Sequence, residues 1–289
     1  MISVVRCWLI DSLPKARSAR QGLATALLFI LSGCVAFPER DGPPQQGGEI
    51  ARPAQGVPGP EPRSRYGNPE FYEVAGQRYF VMDSAKGYRE RGVASWYGSK
   101  FHGKRTSSGE PYDMYALSAA HKSLPLPTWV RVTHLGNGRS LVIRVNDRGP
   151  FVDDRIIDLS FAAARELDMV AAGTALVEIE VLDFTSNQQA GKIAQAPAQH
   201  SAQGTPQKQR PLFLQTGAFS EAINANRQRE RLESAGIERV TVNPGTSGDG
   251  SATLYRVQIG PIADVAQFDR IQQQLRQMGI DSARLVSVE

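Results

Sequence analysis

Three runs of sequence lie between Gly92 and Ser160: GVASWYGSKFHGKRTSSGEPYD (residues 92–113), LSAAHKSLPLPTWVRV (117–132) and RVNDRGPFVDDRIIDLS (144–160). Each sets short polar residues among turn-forming glycines and prolines. Among the ionisable side chains they gather are five candidates, Glu110, Asp113, His121, Asp147 and Asp158. Carboxylates and one imidazole on short loops between strands are what a general acid/base site needs. Around them the pattern is β-rich. Trp129–Thr133 alternates, Gly136-Asn137-Gly138 supplies residues tolerant of positive φ for a hairpin, and Ser140–Val145 is the returning strand. Ala175–Val181 alternates again, with Val177, Ile179 and Val181 facing a core. A helix is expected over Phe161–Met169, with Ser160 as its N-cap and Phe161, Ala164 and Leu167 on its inner face. Short strands with one or two helices over roughly 95 residues point to a small closed barrel.

Upstream, FYEVAGQRYFVM (residues 71–82) places Gly76 between two aromatic-rich arms, a hairpin or a strand packed on the barrel. Before it, residues 34–65 are rich in Pro, Gly, Gln and charge and poor in large apolar residues, so a disordered tether is expected. Residues 186–210, rich in Gln, Ala, Pro and Ser, read as a second disordered linker. The first 33 residues have the form of a secretory leader: basic residues up to Arg20, the apolar run LATALLFIL, then Ser32-Gly33-Cys34. That run is too short to span a bilayer comfortably, which takes about 20 residues.

The chain has 33 basic and 29 acidic residues, a pI near 9.1 and a mean hydropathy of −0.32. Arg6, Lys15, Arg17, Arg20 and Asp11 belong to the leader, and removing them leaves 29 basic against 28 acidic residues. The basic excess disappears, and with it the electrostatic footprint of a nucleic-acid partner. Cys7 is in the leader and Cys34 at its end, so the mature fold has no disulfide, no thiolate metal site and no cysteine nucleophile. The four histidines show no metal-ligand spacing, and phosphate-loop and dinucleotide patterns are absent. No metal or cofactor is expected.

Residues 211–289 contain an internal repeat. Gln215, Gly217, Leu232, Gly236 and Ile237 recur 43 positions later as Gln258, Gly260, Leu275, Gly279 and Ile280. Each half reads strand, helix, glycine cap, strand, which makes a small α+β domain: a βαββαβ sheet of four strands with two helices on one face. Alternation puts Leu212, Leu214, Tyr255, Val257 and Ile259 toward the helices. It leaves Phe213, Gln215, Arg256 and Gln258 on the open face, either a ligand platform or ordinary solvated positions.

Taken singly, the polar residues of the barrel have structural readings too. Asp113 suits a turn, His121 a half-buried histidine, and Asp147 the turn Asp147-Arg148-Gly149-Pro150. Asp158 differs, because Ile156, Ile157 and Leu159 flank it and predict a carboxyl near the core, where desolvation raises its pKa. Glu110, on the Ser107-Ser108-Gly109 loop, is the second carboxyl candidate. Trp96 and Tyr97, with Phe101, could floor a sugar-binding groove or join the core. His102-Gly103-Lys104-Arg105 is a small basic cluster suited to an anionic substrate or to a solvated loop.

In order, the blocks GVASWYG, FHGKRTSSGE, LSAAHKSLPL, VRVTHLGNGRS and NDRGPF…RIIDLSFAAARELDM resemble the rare lipoprotein A family, over about residues 87–183. Residues 210–288 resemble the sporulation-related repeat (SPOR) domain. The resemblance implies a mainly β, double-psi β-barrel domain at 66–185 (core 91–184) followed by a peptidoglycan-binding SPOR domain at 211–289. It further implies a lytic transglycosylase acting on peptidoglycan strands without stem peptides and leaving 1,6-anhydro ends at the division septum. Asp158-Leu159-Ser160 resembles the catalytic-aspartate region of expansins, and the Asp147–Asp158 spacing that of membrane-bound lytic transglycosylase A, where the later aspartate is the acid. Leu31-Ser32-Gly33-Cys34 resembles the bacterial lipobox, which implies acylation of Cys34. Val35 then implies sorting to the periplasmic face of the outer membrane. The implied partners are glycan strands, the membrane through that anchor, and septal proteins. Two rival readings stand beside this one: a hydrolase, and a non-catalytic expansin-like or scaffold protein.

Overall fold

The computed structural model describes residues 41–44, 58–152, 154–184, 211–247 and 252–287. The leader, Cys34 and the 186–210 linker lie outside them. A hairpin, β1 (Phe71–Val74) with β2 (Gln77–Phe80), precedes the barrel. Its Tyr72 and Tyr79 rings stack and receive Phe151, while the Tyr72 hydroxyl donates to the Lys122 carbonyl at 2.8 Å.

Six strands then close on themselves: β3 (Arg89–Tyr97), β4 (Ser118–His121), β5 (Thr128–His134), β6 (Ser140–Asp147), β7 (Arg155–Ser160) and β8 (Ala175–Val181). The barrel order is β3-β7-β4-β6-β5-β8. The pairs β3–β7 and β4–β6 are parallel and the rest antiparallel, so the wall is interwoven and not a simple meander. Ala94, Ala119, Val130, Val132, Ile143, Val145, Ile157, Leu159, Val177 and Ile179 fill the interior with no exposed surface. Each of the larger ones contributes about 1.5–3 kcal/mol by leaving water.

The β5–β6 turn forms where Gly136-Asn137-Gly138 predicts it. Gly138 takes a φ of 74° and its N–H closes on the His134 carbonyl at 2.9 Å. Helix α1 (Phe161–Glu166) starts where expected, with the Ser160 hydroxyl accepting from Ala163 N at 3.1 Å and donating to the Ala116 carbonyl at 2.7 Å. It ends three residues earlier than its periodicity predicts. Asp168 turns left-handed at φ 59°, and Met169 N caps the Ala164 carbonyl.

The C-terminal domain has β9 (Leu212–Phe219), α2 (Ala222–Ser234), β10 (Val240–Thr246), β11 (Thr253–Ile262), α3 (Val265–Gln277) and β12 (Arg284–Ser287). The sheet order is β10-β11-β9-β12, all neighbours antiparallel. The 43-residue repeat is visible in the helix ends. Gly236 and Gly279 take φ of 80° and 74°, and the N–H groups of Ile237 and Ile280 return to the carbonyls of Leu232 and Leu275.

One expectation fails over the described part of its range. Residues 41–44 and 58–65 were predicted to belong to a disordered tether, yet they lie against the barrel. Glu61 accepts from Trp129 Nε1 at 2.6 Å and from Arg144, Arg63 donates to the carbonyls of Met82 and Asp83, and Ser64 N donates to Leu126 O at 2.9 Å. Polar side chains hold this strap, so a rule based on scarce apolar residues does not see it.

Candidate active site

Strand β7 sends Ile157 and Leu159 into the core and Asp158 to the outer wall of the barrel. There Ser95 Oγ donates to Asp158 Oδ1 at 2.5 Å, and Arg155 Nη1 donates to the same Ser95 hydroxyl at 2.6 Å. Arg155 Nη2 stands 3.6 Å from Asp158 Oδ2. Burial nevertheless outweighs the Ser95 bond and the charges of Arg155 and Lys122, and holds the Asp158 carboxyl above the usual aspartate value.

Strand register sets what faces it. Asp158 lies opposite Ser95 on β3 and Ala120 on β4, and Ala120 lies opposite Asp147 on β6. With strands 4.7–4.9 Å apart, the two aspartates are about 10 Å apart at Cα, separated by one methyl side chain. Asp147 Oδ1 accepts from Ser107 N (2.7 Å), Ser107 Oγ (2.6 Å) and Arg148 N (2.7 Å). Tyr97, two residues beyond Ser95 on β3, feels the charge of both aspartates. Burial raises its phenol well above the ordinary value, and Tyr112, Asp147 and Asp158 raise it further. Its ring stacks on Tyr112 at 4.2 Å between centroids. The row Asp147–Ala120–Asp158–Ser95, with Tyr97 beside it, therefore sets two carboxyls on one side of the wall, and burial favours the protonated form of Asp158.

The other predicted residues fall elsewhere. Glu110 accepts from Arg144 Nη1 at 2.7 Å and Asn146 Nδ2 at 3.0 Å; the Arg144 bond foremost, against some desolvation, holds its carboxyl below the usual range. A carboxylate so held is a poor proton donor. Asp113 is half exposed and accepts from Tyr115 N at 2.9 Å, a turn residue with His102 3.8 Å away. His121 follows Ala120, so it points to the opposite side of β4. Its Nδ1 accepts from Ser123 N and Leu124 N, at 3.2 and 3.1 Å, which leaves the proton on Nε2, 3.0 Å from the Tyr88 hydroxyl. Tyr88 in turn donates to Glu90. Burial, with the charges of Arg148 and Lys122, lowers the His121 pKa to about 3. Asp113 and His121 thus hold backbone and do not meet Asp158. Trp96 packs on Phe161 at 5.7 Å and joins the core instead of flooring a groove.

Sequence reasoning missed Ser95, Arg155, Ser107 and Ala120. Ser95 was legible only as a polar residue between apolar neighbours, Arg155 only as a basic residue after two acids, and nothing in Ala120 signals a spacer between two acids. Among the described residues no cluster of three or more His, Cys, Asp or Glu could hold a metal ion.

On the repeat domain, Gln258 and Gln215 are cross-strand partners with their amides 3.4 Å apart, and Asn243 Nδ2 donates to Gln258 Oε1 at 2.8 Å. A bulge at Thr216 keeps the two glutamines in register. Gln258 is buried, which corrects its expected exposure, and Arg256 donates to the Thr246 carbonyl at 2.6 Å. Phe213 lies against Gly260 on the adjoining strand. Asn243, not foreseen, completes this amide row.

Two protein-family models match the chain: one described as lytic transglycolase over residues 89–179, the other the SPOR domain over 208–285. An endolytic peptidoglycan transglycosylase RlpA of Pseudomonas aeruginosa (strain UCBPP-PA14) is 37% identical, with 86% of this chain and 85% of that protein aligned. The RlpA of Vibrio cholerae is 38% identical over 79% and 80% of the two chains. Among solved structures, the SPOR domain of Pseudomonas aeruginosa RlpA matches 27% of this chain and 99% of its own at 27% identity, with a TM-score of 0.23. An expansin of Clavibacter michiganensis matches 44% and 55% at 14% identity, with a TM-score of 0.26. On sequence matches that span most of both chains, and on the order of barrel and SPOR domain, the chain belongs to the RlpA family.

Proposed function

We propose that this chain is a peptidoglycan lytic transglycosylase whose proton donor is Asp158. The observation that carries the reading is the desolvated Asp158 carboxyl, raised in pKa and set across Ala120 from Asp147. The named activity of the RlpA relatives supports it. With Oδ1 held by Ser95, Oδ2 carries the proton. Asp158 gives that proton to the glycosidic oxygen between N-acetylmuramic acid and N-acetylglucosamine, and the C1–O bond breaks. Asp147 stabilises the positive charge at C1. The Asp158 carboxylate then takes the proton of the muramyl 6-hydroxyl as O6 closes on C1. The product is a 1,6-anhydro sugar, no water is consumed and the acid is regenerated. One carboxyl serves twice, so Glu110 is free to keep its ion pair with Arg144.

Several finer features belong to the same proposal. The substrate is a strand without stem peptides, the repeat sheet holds glycan through Gln215, Arg256, Asn243 and Phe213, and acylated Cys34 tethers the protein to the outer membrane at the septum. A hydrolase remains the competing reading, because an inverting pair needs carboxyls roughly 6.5–9.5 Å apart. Mass spectrometry of products from peptide-free glycan decides between them. Anhydro ends, lighter by one water, are the expected result, and reducing ends alone would make the enzyme a hydrolase.

A further inference from the structure

A short piece of the N-terminal strap sits beside this acid in a way the proposed reaction does not use. Asp41 Oδ1 accepts from Gly98 N at 3.0 Å and Lys100 N at 3.2 Å, and its Oδ2 from Gly98 N at 3.1 Å. Ser99 N, between them, donates to the Gly42 carbonyl at 2.9 Å. Three successive amides of one turn therefore converge on one carboxylate and the adjoining carbonyl, the geometry of a backbone anion nest. Gly98 must lack a side chain for this approach, because a Cβ there would stand 2.2 Å from the Gly42 oxygen. The Lys100 and Lys104 ammonium groups, each 5.6 Å from the Phe101 ring centroid, add positive charge to the same loop.

The turn also belongs to the reaction's surroundings. It follows β3 directly, and Gly98 is three residues beyond Ser95, about 10 Å along an extended strand. The Asp41 charge acts on Asp158 and on Tyr112, raising both pKa values. A polar segment expected to stay free in water has thus put a carboxylate and a carbonyl on the turn that follows the strand facing the proton donor.

A peptidoglycan strand carries the matching pair of groups. Muramic acid bears a lactyl carboxylate at C3 and an acetamido carbonyl at C2. The lactyl group is an anion only where the stem peptide is gone; otherwise it is a neutral amide with a peptide attached. We propose that the Gly98–Lys100 turn is the subsite for the free lactyl carboxylate of peptide-free muramic acid. Asp41-Gly42 occupies it as the chain's own stand-in, and substrate displaces it. This inference rests on the peptidoglycan reading above, and it makes the absence of a stem peptide something the barrel itself detects.

The test is a binding measurement on the full chain. The probes are peptide-free glycan strands and the same strands with their lactyl carboxylates converted to methylamides. The chain carries Gln215→Ala and Arg256→Ala throughout, so that the repeat sheet contributes least. Charge-assisted hydrogen bonds predict that the carboxylate strand binds about tenfold tighter or more. Adding Asp41→Ala should tighten binding of the carboxylate strand several-fold and leave the methylamide strand unchanged. Equal binding of the two strands overturns the subsite. An Asp41→Ala effect that is absent, or equal on both strands, overturns the stand-in. The readout is affinity, so a chain that discriminates without cleaving would count against the enzymatic reading and leave the subsite standing.

Discussion

The outer wall of the barrel and the open face of the repeat sheet are both polar β surfaces, and they treat their polar groups in opposite ways. On the barrel, the row across β6, β4, β7 and β3 carries two carboxyls, and burial raises Asp158 although Ser95 and Arg155 oppose it. On the repeat, the row across β10, β11 and β9 carries neutral amides, with Gln258 donating to Gln215 and accepting from Asn243. A desolvated ionisable group changes charge at modest cost and can move a proton. A satisfied amide row has nothing to ionise and offers a fixed pattern of donors and acceptors. One surface suits chemistry and the other recognition.

The contrast breaks first at Asp158. Asp158→Asn keeps the shape of the side chain and should lower turnover on peptide-free glycan by at least the ~10²–10⁴ that a general acid contributes. A folded variant with full activity, checked by thermal melting and product analysis, would move the proton donor elsewhere.

The repeat face should respond in affinity only. Gln215→Ala with Arg256→Ala removes two polar contacts at roughly 1–3 kcal/mol each, so binding by the full chain to peptide-free sacculi should fall by about tenfold or more. The pH dependence of cleavage should stay where it was. Unchanged retention would remove this face as a glycan platform, and a shifted pH profile would dissolve the contrast itself.

Ser95 sharpens the acid side. The donor must be protonated, so kcat/KM should fall as pH rises through the elevated Asp158 pKa. The Ser95 bond lowers that pKa, so Ser95→Ala should shift the falling limb to higher pH while reducing the maximal rate modestly. A limb that stays put, or moves to lower pH, would mean that Asp158 is not the titrating donor.

The smallest effect is expected at His121, on the hidden side of β4. Its folded pKa, about 3, lies below the ordinary histidine value near 6.5, so the unfolded chain binds the extra proton first as pH falls. Stability should decline through that window by up to about 1.4 kcal/mol per pH unit. His121→Gln should flatten this acid dependence in denaturant titrations, after an overall loss from the two backbone N–H groups it serves. An unchanged slope would show that His121 is not the group linked to acid unfolding, and a displaced pH–rate limb would restore it to the reaction.

Much of the architecture could be read before any coordinates, because it rests on local periodicity. Alternation at 129–133 and 175–181, the Gly-Asn-Gly turn, the Ser160 cap and the 43-residue repeat are each set by neighbours in sequence. Asp158 was legible for the same reason, since the apolar residues around it foretell desolvation. The strap escaped notice because its contacts are polar and distant in sequence, Glu61 with Trp129 and Arg144, Asp41 with Gly98 and Lys100.

By itself, then, the sequence determined the order of domains, most strands, the helix caps and the identity of the buried acid. Tertiary structure alone decided which polar residues share its surface. Ala120 and His121 are consecutive, yet strand alternation sends one to the carboxyl row and the other into the Tyr88–Glu90 network. Glu110, Asp113 and Asp147 look alike in sequence, and only Asp147 is brought opposite Asp158 through Ala120, because β4 pairs with β6 on one side and β7 on the other. Which strands lie side by side in a closed barrel depends on non-local pairing, and that information is not carried by any one stretch of the chain.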